Sequence, residues 1–263
     1  MGKIIFLGTG TSQGVPMIGC NCNVCKSPYK KDKRLRTSAI IEEAGFRILI
    51  DCGPDFRQQM LRENITDLDA VILTHNHKDH TGGLDDIRAF NYFKHKAFPI
   101  YAEKYVQDSL KMEYSYAFAE FKYPGVPEYD LHTITNSPFT LSKLDNNGKE
   151  IRLTISPIRV YHHKLPILGF RIGKLAYITD GSSIPEEEFE KLKNLKVFVI
   201  NTIRKEKHIS HFSLSEALEI IKKVKAKKSF LTHLSHQIEA HNQLSKELPK
   251  GVSPAYDGLK VYF

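Results

Sequence analysis

The run Thr74-His75-Asn76-His77-Lys78-Asp79-His80 places three imidazoles and a carboxylate directly after the apolar stretch Leu68-Asp69-Ala70-Val71-Ile72-Leu73. In an extended segment alternate residues share a face, so His75 and His77 can reach one ion, while Asp79 and His80, just round the turn, face a second. The pattern predicts a two-metal centre. Upstream, Cys20, Cys22 and Cys25 form C-x-C-x-x-C in a loop rich in Gly and Asn, a spacing that lets three thiolates converge on one tetrahedral zinc. A closed zinc site needs a fourth ligand, which must come from elsewhere in the chain. Cys52, alone in Leu49-Ile50-Asp51-Cys52-Gly53, reads instead as a small buried apolar residue.

Further ligands are expected where apolar strands run out. His162 follows Ile158-Arg159-Val160-Tyr161, Asp180 follows Ala176-Tyr177-Ile178-Thr179, and His233 follows Ser229-Phe230-Leu231-Thr232. His163, next in the chain, is the alternative to His162. The elements that position these residues read as strands at 4–7, 38–41, 47–50 and 71–73, with a helix opening at Pro54. Helices are expected at about 83–93 and 103–118, and loop with short strand over 123–147. Three strands follow between Ile151 and Asp180. The last third alternates: helix 184–192, strand 197–200, helix 214–224, strand 229–231, helix 236–248 and strand 259–263. Ser213 and Glu216 form a capping box before the 214–224 helix. Two halves that each mix strands and helices predict an α/β chain of two packed sheets with helices outside, as one domain over 1–263.

At 263 residues and 41% hydrophobic the chain can bury a large core. Apolar runs stay well short of the 18 residues of a membrane span, and the polar residues close to Met1 argue against a signal peptide; a cytoplasmic protein is expected. The lysines behind the net charge of +8 are dispersed, and the run Lys222 to Lys228 lies on or just after a predicted helix whose Leu218, Ile221 and Val224 repeat at helical spacing. That charge favours an anionic substrate.

The H-x-H-x-D-H run from His75 to His80 resembles the signature of the metallo-β-lactamase superfamily. The resemblance implies an αββα sandwich in which His75, His77 and His162 hold one metal, Asp79, His80 and His233 hold the other, and Asp180 bridges. Asp51 matches the superfamily's early Asp-x-Gly, where a carboxylate orients a ligand imidazole. A narrower likeness rests on Leu7-Gly8-Thr9-Gly10-Thr11-Ser12-Gln13-Gly14-Val15-Pro16, the cysteine loop and Leu231-Thr232-His233-Leu234-Ser235-His236. Together they resemble the PhnP family, phosphodiesterases of the carbon-phosphorus lyase pathway, from near residue 4 to near residue 258.

That likeness implies a structural zinc loop at about 18–27, with His236 as fourth ligand to Cys20, Cys22 and Cys25. It implies two divalent ions, zinc or manganese, whose bridging hydroxide attacks a small or cyclic phosphodiester. Asp79 would also aim the nucleophile, and His211 would be the substrate-side general acid, with His208 as its alternative. Two other readings compete: a nuclease of the tRNase Z or exonuclease kind, and a non-hydrolytic metal-binding protein like one of the pyrroloquinoline quinone pathway. The expected partner is a small anionic phosphodiester; nucleic acid is less favoured, no membrane is expected, and a homodimer is allowed for.

Overall fold

The computed structural model describes residues 1–145 and 147–263; Asn146, within the segment expected to be loop and short strand, lies outside them. Among the described residues the strands are β1 (Lys3–Gly8), β2 (Ser38–Glu43), β3 (Phe46–Ile50), β4 (Ala70–Ile72), β5 (Phe98–Ala102), β6 (Tyr129–Thr133), β7 (Phe139–Leu144), β8 (Glu150–His162), β9 (Leu165–Ile172), β10 (Leu175–Tyr177), β11 (Val197–Asn201), β12 (Lys228–Thr232), β13 (Val252–Pro254) and β14 (Lys260–Tyr262). They form two seven-stranded sheets, in the orders β14-β1-β2-β3-β4-β5-β6 and β13-β12-β11-β10-β9-β8-β7. Each sheet is mixed. The hairpin strands β1 to β3 and β7 to β10 pair antiparallel, while β3 to β6 and β10 to β13 pair parallel.

Side chains alternate across a strand, and here both faces are covered, so the central strands are apolar throughout. Ile4, Phe6, Ile41, Ile48, Ile50 and Ile72 point between the sheets, where they meet Leu168, Phe170, Tyr177, Val199 and Phe230 of the second sheet. Their neighbours Ile5, Leu7, Ile40, Leu49 and Val71 point the other way, under the helix Phe56–Glu63 and the helices after it. On the far side Phe198, Ile200 and Leu231 pack against the C-terminal helices. The result is two central sheets with helices outside, the αββα arrangement.

The helices are α1 (Asn23–Lys26), α2 (Phe56–Glu63), α3 (Lys78–Thr81), α4 (Arg88–Lys94), α5 (Lys104–Glu113), α6 (Ser115–Phe118), α7 (Leu214–Val224) and α8 (His241–Glu247). α7 opens on the expected capping box: Ser213 Oγ accepts from the Glu216 N–H, and the Ser213 N–H donates to Glu216 Oε2 at 2.9 Å. Several expectations are corrected. The 103–118 helix breaks at Tyr114, whose hydroxyl donates to Thr81 O at 2.8 Å, giving α5 and α6. The 184–192 segment is a 3-10 helix, Glu186–Leu192. The last helix begins only at His241, because 236–240 carry His236 toward the cysteines and Glu239 turns to φ 116°. α2 starts at Phe56, after Pro54, while the Asp55 carboxylate accepts from the Arg36 backbone N–H and guanidinium. Strands β5 and β13 stand where no strand was expected, and the 123–147 segment, expected as loop and short strand, carries both β6 and β7. Among the described residues no helix is long and apolar enough to cross a membrane.

Candidate metal centre

Asp51 follows β3, His75 to His80 follow β4, His162 ends β8, Asp180 follows β10, His211 lies beyond β11 and His233 follows β12. All of these strands end at one rim, which is where parallel sheets gather polar ligands from separate parts of the chain. The rings of His75 and His77 lie 4.6 Å apart, and His162 stands 5.1 Å from His77 and 5.8 Å from His75. Ligand atoms of Asp79, His80, Asp180 and His233 all fall within 4.8 Å of one another, and so do those of His162, Asp180 and His211. Asp180 belongs to both groups. Its Oδ2 is 3.1 Å from His80 Nε2 and 3.2 Å from His233 Nδ1, and its Oδ1 is 3.2 Å from His211 Nε2.

The members of the two histidine pairs occupy different places. His163 is exposed in the β8–β9 turn at φ 56°, whereas His162 faces the cluster with Nδ1 2.7 Å from Ser210 O. It is His211 that reaches Asp180; His208 meets the other side of His211, Nδ1 to Nδ1 at 3.2 Å. His211 lies against Asp180. Buried Phe212 explains this, because its N–H donates to Gly181 O at 2.7 Å and draws the loop onto the Asp180 turn.

Asp51 is buried and supports this group from behind. It accepts from His80 Nδ1 at 2.7 Å, from the Thr74 N–H at 2.8 Å and from Thr74 Oγ1 at 2.9 Å. The Nδ1 proton of His80 is thereby engaged, leaving Nε2 to face Asp79 and Asp180. Thr74 was not singled out from the sequence; a hydroxyl beside the first histidine of the run was the available signal. Gly53 also has a function there. A Cβ at that position would stand 2.1 Å from Asp79 O, so a side chain would push the Asp79 turn away. Asp51, Asp180 and His233 adopt left-handed backbone at φ 61°, 56° and 54°, each at about 1 kcal/mol of strain. Replacing Asp51 with Asn should weaken binding of Mn²⁺ or Zn²⁺ by about 10–100-fold in a chelator competition. Unchanged affinity would rule out this supporting role.

Burial pushes the imidazoles of His75, His162 and His233 down, the last to about 4, so each is a neutral base with a free lone pair at pH 7. Burial opposes charge on His80 too, but Asp180, Asp51 and Asp79 outweigh it and hold this imidazole well above its usual range. Three carboxylates around one ring make a strongly negative enclosure. His75 Nε2 is buried without a hydrogen-bond partner, and His80 Nε2 approaches Asp79 and Asp180 without hydrogen-bonding to either. Buried, unpaired imidazole nitrogens beside excess carboxylate are what a divalent cation would satisfy. The donor set fits such ions.

A family model described as the Beta-lactamase superfamily domain matches residues 46–234. The chain belongs to the metallo-β-lactamase superfamily. Within it, a crystal structure of a diphosphatase from the PhnP family is 36% identical with a TM-score of 0.89, covering 100% of this chain and 98% of that one. Zinc-bound PqqB from Methylobacterium extorquens superposes with a TM-score of 0.75 at 16% identity, over 99% of this chain and 100% of that one, a likeness of fold. A protein of Porphyromonas gingivalis named octanoyltransferase is 43% identical over 98% of this chain. The chain spans about half of that relative, 51% of its length.

A second ligand group in this superfamily member lies apart from the histidine cluster. The Sγ atoms of Cys20 and Cys22 are 3.3 and 3.4 Å from His236 Nδ1, and with Cys25 the four ligand atoms fall within 4.8 Å. Cys22 is the N-cap of α1, its sulfur accepting from the Cys25 N–H. That bond and His236 draw the Cys22 thiol down to about 6, whereas burial pushes Cys25 up to about 11. The segments flanking the loop and His236 are anchored independently: buried Arg34 donates to Thr9 Oγ1 and Ala255 O, and the Leu234 N–H donates to Thr9 O at 2.8 Å. Cys52 is fully buried and outside both groups, as its apolar setting suggested.

Proposed function

We propose that this chain is a metal-dependent phosphodiesterase acting on a small or cyclic phosphodiester. The observation that carries the reading is Asp180, one carboxylate within ligand distance of Asp79, His80 and His233 on one side and of His162 and His211 on the other. In this reading His75, His77, His162 and Asp180 hold one divalent cation, Asp79, His80, His233 and Asp180 hold a second, and Cys20, Cys22, Cys25 and His236 hold a zinc. The diphosphatase of the PhnP family, similar over the whole chain, supports phosphorus chemistry. When bound, the pair of cations would lower the pKa of a coordinated water and neutralise phosphoryl oxygens.

The chain's own groups then do the orienting. Asp79, held by the turn that packs on Gly53, can accept a hydrogen bond from the nucleophile and keep it in line. His211 keeps its Nε2 at the rim through Asp180 Oδ1, with Nδ1 3.0 Å from Ser210 Oγ, so it can give a proton to the leaving oxygen. His211→Gln should therefore lower turnover of a cyclic ribose phosphate by about 10²–10⁴-fold. The loss on p-nitrophenyl esters should be far smaller, since that leaving group needs no proton; equal losses on both would remove His211 from the acid's role.

The first experiment is hydrolysis of bis(p-nitrophenyl) phosphate by protein loaded with Mn²⁺, Zn²⁺, Ni²⁺ or Co²⁺. Turnover with none of the four would sink the proposal. Ribose cyclic phosphates, cyclic nucleotides and short RNAs, compared at equal concentration, then identify the diester. The name of the Porphyromonas gingivalis relative favours octanoyl-group chemistry as a second reading. Turnover of p-nitrophenyl octanoate in place of the diester would put that reading first.

A further inference from the structure

We propose that two copies of this chain associate through the face formed by α4 and the 119–128 segment. The face is apolar and open: Tyr92, Phe93, Phe121 and Tyr123 are 73%, 77%, 90% and 81% exposed, and Leu61 on neighbouring α2 is 61% exposed. Single exposed apolar residues are ordinary, but four aromatic rings on adjoining segments are not. Asn91 joins the segments, donating to Glu128 O and accepting from the Glu128 N–H.

The shape of the face is that of a ridge between two hollows. Tyr92 and Phe93 pack edge to face, ring centres 5.2 Å apart, along the outside of α4. On one side lies a groove of about 530 Å³ against α2, lined by Phe56, Met60, Leu61, Ile65, Phe90 and Phe93. On the other lies a hollow of about 630 Å³ whose walls include Tyr92, Phe93, Gly125 and Val126. A two-fold interface must be complementary to itself, and a ridge beside a groove meets that condition: each copy's ridge can seat in the other's groove.

Charge points to the same occupant. The chain carries +8 overall, so two copies repel across most surfaces. Across 85–96 and 111–128, however, Arg88, Lys94, Lys96, Lys111 and Lys122 are matched by Asp85, Asp86, Glu113, Glu120 and Glu128. With Arg57 of the groove counted, the face carries only +1 of the chain's +8, so it can meet its own copy with little repulsion. Aromatic side chains bury about 150–250 Å² each, so the four rings at their present exposure supply roughly 480–800 Å². With the groove walls this approaches the ~800 Å² per partner of a stable interface.

Light scattering coupled to gel filtration tests the proposal on the intact chain of 30.1 kDa. The wild type is expected at twice that mass, and Phe93→Glu or Phe121→Lys at the monomer mass, with dissociation raised at least about 100-fold. Both side chains are largely exposed, and an unchanged thermal melt at monomer concentrations establishes that each variant is folded. A wild type monomeric up to about 100 µM would overturn the proposal, as would a dimer indifferent to both substitutions. A monomer that sediments with phosphatidylcholine vesicles would overturn it in favour of a lipid surface.

Discussion

Asp180→Asn is expected to reduce diester turnover by about 10³-fold or more while leaving the fold intact. Removing one preorganised electrostatic group costs on the order of 10²–10³ in rate, and Asp180 serves both ligand groups at once. Asparagine is the informative replacement because it keeps the carboxylate's shape and, like aspartate, tolerates the left-handed backbone at φ 56°. Metal analysis should show divalent ions lost from the histidine cluster while the zinc bound by the cysteines stays. A variant that retained both its metal content and its turnover would show that Asp180 is a structural residue, and the phosphodiesterase reading would lose its basis.

The second large effect is expected from Cys22→Ser. It should release one zinc per chain and lower the melting temperature. Cys22 and His236 are 214 residues apart in sequence, so a metal joining them closes a very long loop. By analogy with a disulfide, such closure restricts the unfolded chain by about 4–5 kcal/mol. For a chain of this size that corresponds to a fall of about 10–15 °C. Activity should drop less than in Asp180→Asn, because His233 stays fixed by β12 and its contact with Thr37 Oγ1. Zinc content equal to wild type would exclude the cysteine group as a metal site.

Much of the architecture was readable because its signals are local. The strands carrying Ile4 to Leu7 and Ile48 to Ile50 are apolar on both faces, and α7 announces itself by Ser213 and Glu216. Residues at strand ends, such as His162, Asp180 and His233, could be named because an apolar run stops there. The strands not foreseen, or foreseen only as short strand within loop, lack that contrast. β6 and β7 are half-exposed edge or near-edge strands with polar residues on both faces, β5 contains Pro99, and β13 is three residues long. The 236–248 helix was read too long because helical spacing does not reveal that His236 is drawn to cysteines more than two hundred residues away. Thr74 and Gly53 act through contacts made only when β3 and β4 lie side by side, which no local pattern encodes.

The left-handed turns at Asp51, Asp180 and His233 bear on how this protein can be improved by selection. Glycine at any of the three would relieve about 1 kcal/mol of backbone strain, but at Asp51 and Asp180 it would also strand buried donors, Thr74 and His80 Nδ1 in the first case and Thr179 Oγ1 in the second. Each such change would also delete a group from the rim. Backbone relief and the polar groups of the rim therefore pull in opposite directions at these positions, and raising the protein's thermal stability should begin with the helices, away from the rim.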